Sequence, residues 1–196
     1  YEISLGLVGS EMCIRDSHAD ILERLNGLDK ESAGRTSGNG FYYLMGDAAR
    51  IHSAMISYAR DFMIDKGFTY CIPPFMIRSS VVNGVMSFAE MEAMMYKIEG
   101  EDLYLIGTSE HSMIGKFKGQ IVEEKSLPIT MTSYSPCFRK EVGSHGIEER
   151  GVYRVHQFEK QEMVVLCKPE DSMDWYNKMW SYTCLLYTSP SPRDRG

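Results

Sequence analysis

The sequence predicts an α/β domain in which helices flank a largely antiparallel sheet, and three observations support this. Strand-forming segments alternate along the chain with segments of helical periodicity. The strand segments are mostly joined by short turns, which connect antiparallel neighbours. The 196 residues and 43% hydrophobic content suit one domain with a real core. The sequence has no internal repeat, and no apolar run approaches the roughly 20 residues that a membrane span needs.

The first elements are a short helix and a loop. Residues 21–25 are predicted to be helical, and residues 34–40 are rich in Gly, Ser and Thr, as loops are. Within that loop, Gly38-Asn39-Gly40 predicts a turn and not a nucleotide-binding glycine loop, because no strand-turn-helix context or third glycine follows.

A long helix and a strand come next. Asp47 is the predicted N-cap, and Gly67 lies where a helix-ending glycine belongs. Apolar residues recur between them at helical spacing, at Ala48, Ile51, Met55, Ala59, Phe62 and Met63. Residues 68–72 then predict a strand, which Pro73 and Pro74 end.

The middle of the chain predicts a second helix, a buried strand and a short helix. Ser87 and Glu90 have the spacing of a capping box, so a helix is expected to run to about Tyr96. Residues 103–106 predict a buried strand, and residues 111–117 predict a short helix.

The last elements are two long strands and a helix. Residues 130–138 lead into the first of these strands. Residues 163–167 continue the second strand into the core. Pro169, followed by Glu170 and Asp171, suits the first turn of a final helix.

Charge and cysteine usage exclude several classes of protein. A net charge of −6 argues against a chain that wraps nucleic acid by itself. The five cysteines are scattered without a Cys-x-x-Cys pair, so neither a disulfide framework nor a zinc site is predicted and a reducing cytoplasm is expected. His145 and His156 form no metal-binding pair with a nearby cysteine.

Both ends of the chain look foreign to the domain. Residues 1–17 and 184–196 resemble translated sequencing-adapter peptides, and residues 1–17 lack the basic start of a signal sequence. The alternative is an ordinary flexible tail. We therefore expect residues 18–183 to form the native part.

Two segments carry the chemistry. Residues 138–141 read Phe-Arg-Lys-Glu, and residues 154–162 read Arg-Val-His-Gln-Phe-Glu-Lys-Gln-Glu after a glycine-rich gap. Side chains on a strand alternate between faces. Arg139 and Glu141 are therefore predicted to share a face. The second predicted face comprises Arg154, His156, Phe158, Lys160 and Glu162. Joined as a hairpin, they would supply a cation, carboxylates and an aromatic ring, which suits a nucleotide.

The two segments resemble motif 2 of the class II aminoacyl-tRNA synthetases, and residues 154–160 most resemble the serine-specific branch of that family. Residues 107–111, Gly-Thr-Ser-Glu-His, are similar to its Thr-x-Glu amino-acid-binding segment. The long helix, strand and proline resemble motif 1, the dimer interface of the family. The resemblance covers about residues 18–183 and implies an incomplete catalytic core, because motif 3 and the tRNA-binding helical hairpin are not recognised. We therefore expect this chain alone to be inactive or nearly so.

The resemblance implies activation of L-serine by ATP, with Mg²⁺ held through the ATP phosphates and not by a side-chain cluster, and transfer to tRNA(Ser) by a homodimer. Arg139 would bridge the α-phosphate and the serine carboxylate. The implied serine-binding residues are Thr108, Ser109, Glu110, Arg139 and Glu162. Strand alternation predicts that Thr108 and Glu110 share a face. The implied ATP-binding residues are Arg139, Lys140, Glu141, Arg154, Val155 and Phe158. Lys140 and Val155 would act through their backbones, and Phe158 would stack on the adenine.

Two further interpretations remain open from the sequence. One is a synthetase-like amino acid:carrier-protein ligase or a regulatory paralogue that does not charge tRNA. The other is a prolyl or threonyl relative, which fits Thr-Ser-Glu but fits residues 154–160 poorly. The glycine-rich segment 142–152 is expected to be a mobile loop in any of them.

Overall fold

A long antiparallel hairpin forms the centre of the fold. The computed structural model describes residues 18–141 and 152–188. The strands are β1 (Leu28–Asp29), β2 (Tyr43–Leu44), β3 (Thr69–Tyr70), β4 (Met76–Ile77), β5 (Tyr104–Leu105), β6 (Ile129–Phe138) and β7 (Gln157–Leu166). β6 and β7 pair along their whole length. β3 runs parallel to β6 on its other edge.

The remaining strand pairs are short and antiparallel, β1 with β2 and β4 with β5. In the described part of the chain, β3 and β6 are therefore the one parallel pair, and the other strand pairs are antiparallel. This confirms the predicted fold class. The α-helices are α1 (His18–Arg24), α2 (Lys30–Ser37), α3 (Gly46–Asp65), α4 (Ser79–Val82), α5 (Phe88–Met94), α6 (Ser109–Gly115) and α7 (Ser172–Tyr187).

The predicted loop at residues 34–40 is wrong for its first part, because α2 extends through it. Asp29 caps α2 by accepting a hydrogen bond of 2.8 Å from the Ser32 N–H. Glu31 and Arg35 add an ion pair one helical turn apart, and these local contacts outweigh the cost of Gly34 inside a helix. The helix stops at Gly38, whose φ of +96° needs a glycine. The predicted turn at Gly38–Gly40 is confirmed.

Helix α3 has the predicted length, but its N-cap is Met45 and not Asp47. Asp47 lies in the first turn, where its carboxylate pairs with Arg50 at 2.8 Å. Gly67 follows the C-cap with φ +88°, as the helix-ending glycine should. Not all of the predicted apolar stripe is buried: Met63 is 1% exposed, whereas Ile51 is 61% exposed.

The second predicted helix is confirmed as α5, which ends at Met94, two residues early. Ser87 and Glu90 make both hydrogen bonds of the capping box. The methionines Met91 and Met95 are buried, as expected for packing residues. They belong to a cluster with Ile77, Val82, Tyr104 and Ile106. This cluster supports the loop that leads from β5 to α6.

The C-terminal helix is confirmed and packs on the N-terminal elements. A 3₁₀ turn at Pro169–Asp171 precedes α7. Tyr182 of α7 makes edge contacts with Phe62 and Phe68. Helix α7 continues past residue 183 to Tyr187, while the assignment of residues 184–196 as foreign remains a prediction.

Some predictions fall outside the described residues. They are the foreign segment 1–17, most of the foreign tail and residues 142–151 of the glycine-rich loop. Within the described part, no helix is both long enough and apolar enough to cross a membrane.

Candidate active site

The central hairpin has two faces with different contacts. The pairing register sets Glu162 opposite Ser133, Lys160 opposite Ser135 and Phe158 opposite Cys137. Paired residues in antiparallel strands point to the same face. These six side chains therefore form one face, on which α6 packs through Met113 against Met131 and Val164. We call this the α6 face.

The opposite face is tied to α3 by a polar cluster. Glu159 accepts a hydrogen bond from Tyr134 and is paired with His52 of α3. Burial, and then the contact with Glu159, raise the pKa of Tyr134. Gln161 donates to Thr132 at 2.7 Å on the same side. The cluster thus fixes the strand that bears Phe158, Lys160 and Glu162.

Glu162 is the centre of a polar group on the α6 face. Its side chain is 17% exposed and its Oε2 accepts a hydrogen bond of 2.7 Å from the Thr108 hydroxyl. The Lys160 ammonium lies 2.5 Å from the same Oε2 and 3.2 Å from the Thr108 hydroxyl oxygen. These three polar groups therefore converge at one point.

Arg139 lies beside Phe158 on the same face. Its Cζ is 5.1 Å from the centroid of the Phe158 ring, a cation–π contact, and its Nε donates to the Gly107 carbonyl at 3.2 Å. The Phe138 N–H also donates to the Ile106 carbonyl at 2.8 Å. These bonds join the end of β6 to the segment that leads into Thr108.

The strand-alternation prediction holds for only part of the predicted set. β6 ends at Phe138 and β7 begins at Gln157, so Arg139, Glu141 and Arg154 lie outside the pleated region. Glu141 has φ +47°, a left-handed conformation that breaks the alternation. The hairpin end nevertheless brings Glu141 and Arg154 together, with 3.4 Å between Oε2 and Nη1.

Glu110 does not share a strand face with Thr108, and that prediction is wrong. Thr108 is the N-cap of α6, so the strand has already ended, and its hydroxyl accepts weakly from the Glu110 N–H at 3.4 Å. Glu110 is exposed in the first turn of the helix. Ser109 is fully buried.

Lys140 and His156 make mainly structural contacts. The Lys140 ammonium donates to the Glu92 carbonyl at 2.9 Å, and its backbone N–H donates to Met94. Because the Lys140 N–H is already bonded, Lys140 could contact ATP through its backbone only with its carbonyl, or after the N–H has left Met94. His156, predicted on the strand face of Phe158, instead lies one residue before β7. Its N–H donates to the Gly40 carbonyl at 2.8 Å and its carbonyl accepts from the Arg139 N–H at 3.0 Å. Val155, just before it, is 6% exposed.

Sequence reasoning missed Ser133 and His111. The Ser133 hydroxyl, the Ser109 hydroxyl and His111 Nδ1 are buried without a hydrogen-bond partner. Burial, and then the cations of Arg139 and Lys160, lower the pKa of His111. Buried polar atoms without partners beside a charged cluster indicate a place for ligand or water. The register of the predicted hairpin would have revealed Ser133, but nothing in the sequence indicated His111.

In the described ranges, 18–141 and 152–188, no group of His, Cys, Asp and Glu residues is arranged to hold a metal ion. The α6 face instead brings together carboxylate and hydroxyl acceptors and two cations, beside the small side chains of Ser133 and Ser135. Such a set suits a small zwitterion next to an anionic, ring-bearing ligand.

Comparisons with known proteins agree with this chemistry. Residues 94–192 match the model of the tRNA synthetase class II core domain (G, H, P, S and T). A Serine--tRNA ligase from Thermococcus onnurineus is 47% identical over 162 residues, which are 83% of this chain and 35% of that protein. One from Pyrococcus furiosus is 44% identical, over 83% of this chain and 36% of that protein.

Solved structures give the same result. Seryl-tRNA synthetase from Pyrococcus horikoshii complexed with ATP has a TM-score of 0.81 at 44% identity, covering 84% of this chain and 37% of that one. Cytoplasmic Serine-tRNA ligase from Naegleria fowleri in complex with AMP has a TM-score of 0.82 at 36% identity, covering 87% and 40%. The chain thus spans little more than a third of the curated relatives it matches. It belongs to the class II tRNA synthetase core-domain family.

Proposed function

We propose that a longer protein containing this chain is a serine--tRNA ligase, which activates L-serine with ATP and transfers it to tRNA(Ser). The observation that carries the proposal is the convergence of Thr108 and Glu162 beside the Arg139–Phe158 pair on one face of the hairpin. The names of the relatives support the choice of serine. Because the chain covers 35% of the first relative, the activity is assigned to the longer protein.

The nucleotide would bind at the Phe158 end of the face. Its adenine stacks on the Phe158 ring, which Arg139 covers in this structure, so the guanidinium turns from the ring towards the α-phosphate as the base arrives. Glu141 orders the nucleotide or accepts from its amino group, and Arg154 reaches the outer phosphates. The Val155 and Lys140 backbones complete this subsite. The ATP and AMP complexes of the structural neighbours support a nucleotide here.

Serine would bind at the Glu162 end. The Glu162 carboxylate and the Thr108 hydroxyl, already 2.7 Å apart, accept hydrogen bonds from the substrate ammonium. Glu110 contributes a further carboxylate if its exposed side chain folds inwards, and Ser109 lines the pocket. A buried site of this kind would reject alanine, because loss of the substrate hydroxyl leaves polar groups unpaired.

Both steps are substitution reactions that positioning and charge can promote. The serine carboxylate attacks the α-phosphate, and pyrophosphate leaves to give seryl-adenylate. A terminal ribose hydroxyl of the tRNA then attacks the acyl carbon, and AMP leaves. The attacking carboxylate is ionised, so the first step needs no general base. Arg139 binds oxygens of both anions and neutralises the charge that accumulates between them.

Magnesium is part of the proposal through the nucleotide. We expect the ion to be held chiefly by phosphate oxygens and water and not by a protein cage. When bound, Mg²⁺ would neutralise phosphate charge.

Helix α3 supports a homodimer. Its side chains Ile51 and Met55 are 61% and 66% exposed. Adjacent exposed apolar side chains on a helix are typical of protein interfaces.

The described cysteines are unpaired, which suits the cytoplasm, where protein synthesis takes place.

The test is serine-dependent exchange of pyrophosphate into ATP by the longer protein, with serine, threonine and proline compared. Exchange with serine alone supports the proposal, and exchange with another amino acid or with none contradicts it. Transfer of labelled serine to tRNA, compared with transfer to carrier proteins, separates tRNA charging from the carrier-protein alternative. On this chain alone, we expect little or no exchange.

A further inference from the structure

The Lys160 ammonium lies between two acceptors on the α6 face. It is 2.5 Å from Glu162 Oε2 and 3.2 Å from Thr108 Oγ1. Its neighbours on the strand, Glu159 and Gln161, point to the other face and bond there. Lys160 is therefore held on this face by the pleat of β7 as well as by its ion pair.

These two acceptors are the atoms to which the substrate ammonium is assigned above. We infer that Lys160 occupies the ammonium position of the amino-acid pocket in the unliganded protein, and that serine binds only when Lys160 leaves. This inference rests on the proposed function, because it concerns the same pocket. It adds a residue that competes with the substrate.

Electrostatics make the two states exclusive. The Glu162 side chain is 17% exposed, so an unpaired carboxylate there would be costly, and Lys160 removes that cost while the pocket holds no substrate. Two ammonium groups at hydrogen-bond distance from one carboxylate oxygen would repel each other. Serine therefore selects the fraction of molecules in which Lys160 is displaced, and its apparent affinity falls in proportion to that fraction.

The position of Lys160 indicates where its ammonium goes. Lys160 lies midway along the strand between Phe158 and Glu162, which are roughly 14 Å apart at the usual rise per residue. A nucleotide stacked on Phe158 and joined to an amino acid at Glu162 must place its α-phosphate near this midpoint. The displaced Lys160 ammonium would therefore pair with the α-phosphate. Bound nucleotide then raises the affinity for serine, and bound serine raises the affinity for the nucleotide.

The experiment uses Lys160→Met in the longer protein, with Lys168→Met as the matched control. Lys168 lies just beyond the end of β7, six residues after Glu162, and pairs with Glu124. Serine affinity is measured by calorimetry with and without a non-hydrolysable ATP analogue. If about one molecule in ten has Lys160 displaced, Lys160→Met binds serine about tenfold more tightly without nucleotide, and the analogue adds little further affinity.

Kinetics separate this role from a structural one. In the exchange assay at subsaturating ATP, where Lys160 still occupies the wild-type pocket, Lys160→Met should lower KM for serine. At every ATP concentration it should lower kcat, because the ammonium no longer meets the α-phosphate. Structural damage would raise KM. Lys168→Met should match the wild type in both constants. Should the Met variant fail to fold, Lys160→Gln tests the same direction with a neutral polar side chain.

The outcomes distinguish the two proposals. Wild-type protein that binds serine and ATP, together with a Lys160 variant whose serine affinity is unchanged or weaker, overturns the role of Lys160 and leaves the proposed function intact. Wild-type protein that binds threonine or proline in place of serine overturns the proposed substrate. If Lys160→Met binds that amino acid more tightly than the wild type does, competition between Lys160 and the substrate ammonium is still supported.

Discussion

The guanidinium of Arg139 lies over the ring of Phe158, 5.1 Å from its centroid, while its Nε donates to the Gly107 carbonyl at 3.2 Å. The first contact joins the two arms of the hairpin, and the second joins the hairpin to the segment before Thr108. The arginine is therefore placed between the two halves of the proposed site before any ligand binds. In the proposed reaction, that placement limits the reorganisation needed when charge develops.

Replacing Arg139 with lysine should remove most of the activation step. A lysine keeps the charge but lacks the planar fork that binds two anions together. We expect serine-dependent exchange to fall by about a hundredfold or more, as when one preorganised donor to a developing charge is lost. Arg78→Lys is the control, because Arg78 is exposed and precedes α4. A wild-type rate in Arg139→Lys would contradict the assignment.

Thr108 should contribute to stability as well as to the pocket. Its hydroxyl caps α6 and donates to Glu162. Thr108→Val should lower the free energy of unfolding by about 1 kcal/mol, the usual cost of losing an N-cap. Urea denaturation measures this loss, and KM for serine should rise in the same variant. Thr108→Ser keeps the hydroxyl and should restore both values, so equal losses in the two variants would refute the capping role.

His111 should make stability depend on pH. Its folded pKa is lowered from 6.5, first by burial and then by the cations of Arg139 and Lys160, whereas Glu162 opposes the shift. The unfolded chain therefore binds the proton more readily as pH falls below about 6.5, and the free energy of unfolding decreases over that range. In His111→Gln this contribution is absent.

The measurement for His111 is urea denaturation of both proteins at about pH 7.5 and about pH 5.5. The wild type should lose more stability than His111→Gln between the two. Parallel losses would show that the His111 imidazole is not the group responsible.

The exposed side of α3 should control dimerisation. Ile51→Glu places a charge within the proposed interface and should weaken the dimer by about thirtyfold or more, because central interface side chains are often worth about 2 kcal/mol. Sedimentation equilibrium of the longer protein measures this. Ile121 is 100% exposed and lies outside α3, so Ile121→Glu should leave association unchanged. A dimer of wild-type affinity in Ile51→Glu would exclude this face.

Prediction from sequence succeeded where local rules apply within an element. The capping box at Ser87 and the turn at Gly38–Gly40 depend on neighbours a few residues away, and both are present. The shared face of Phe158, Lys160 and Glu162 follows from the two-residue period of a strand, and their contacts agree with it. The same rule failed at Glu141 and Glu110, because it was extended beyond the ends of the strands.

The sequence by itself determined the hairpin, the order of the elements and the residue types that a nucleotide and an amino acid require, because these follow from period, caps and composition. Only the tertiary structure decided that Lys160 and Glu162 both contact Thr108, that Arg139 covers Phe158, and that His111 is buried beside them. Those contacts join residues that are distant in the sequence, such as Thr108 and Glu162, 54 positions apart. Their partners are chosen by the packing of α6 on the hairpin, and no local pattern in the chain specifies it.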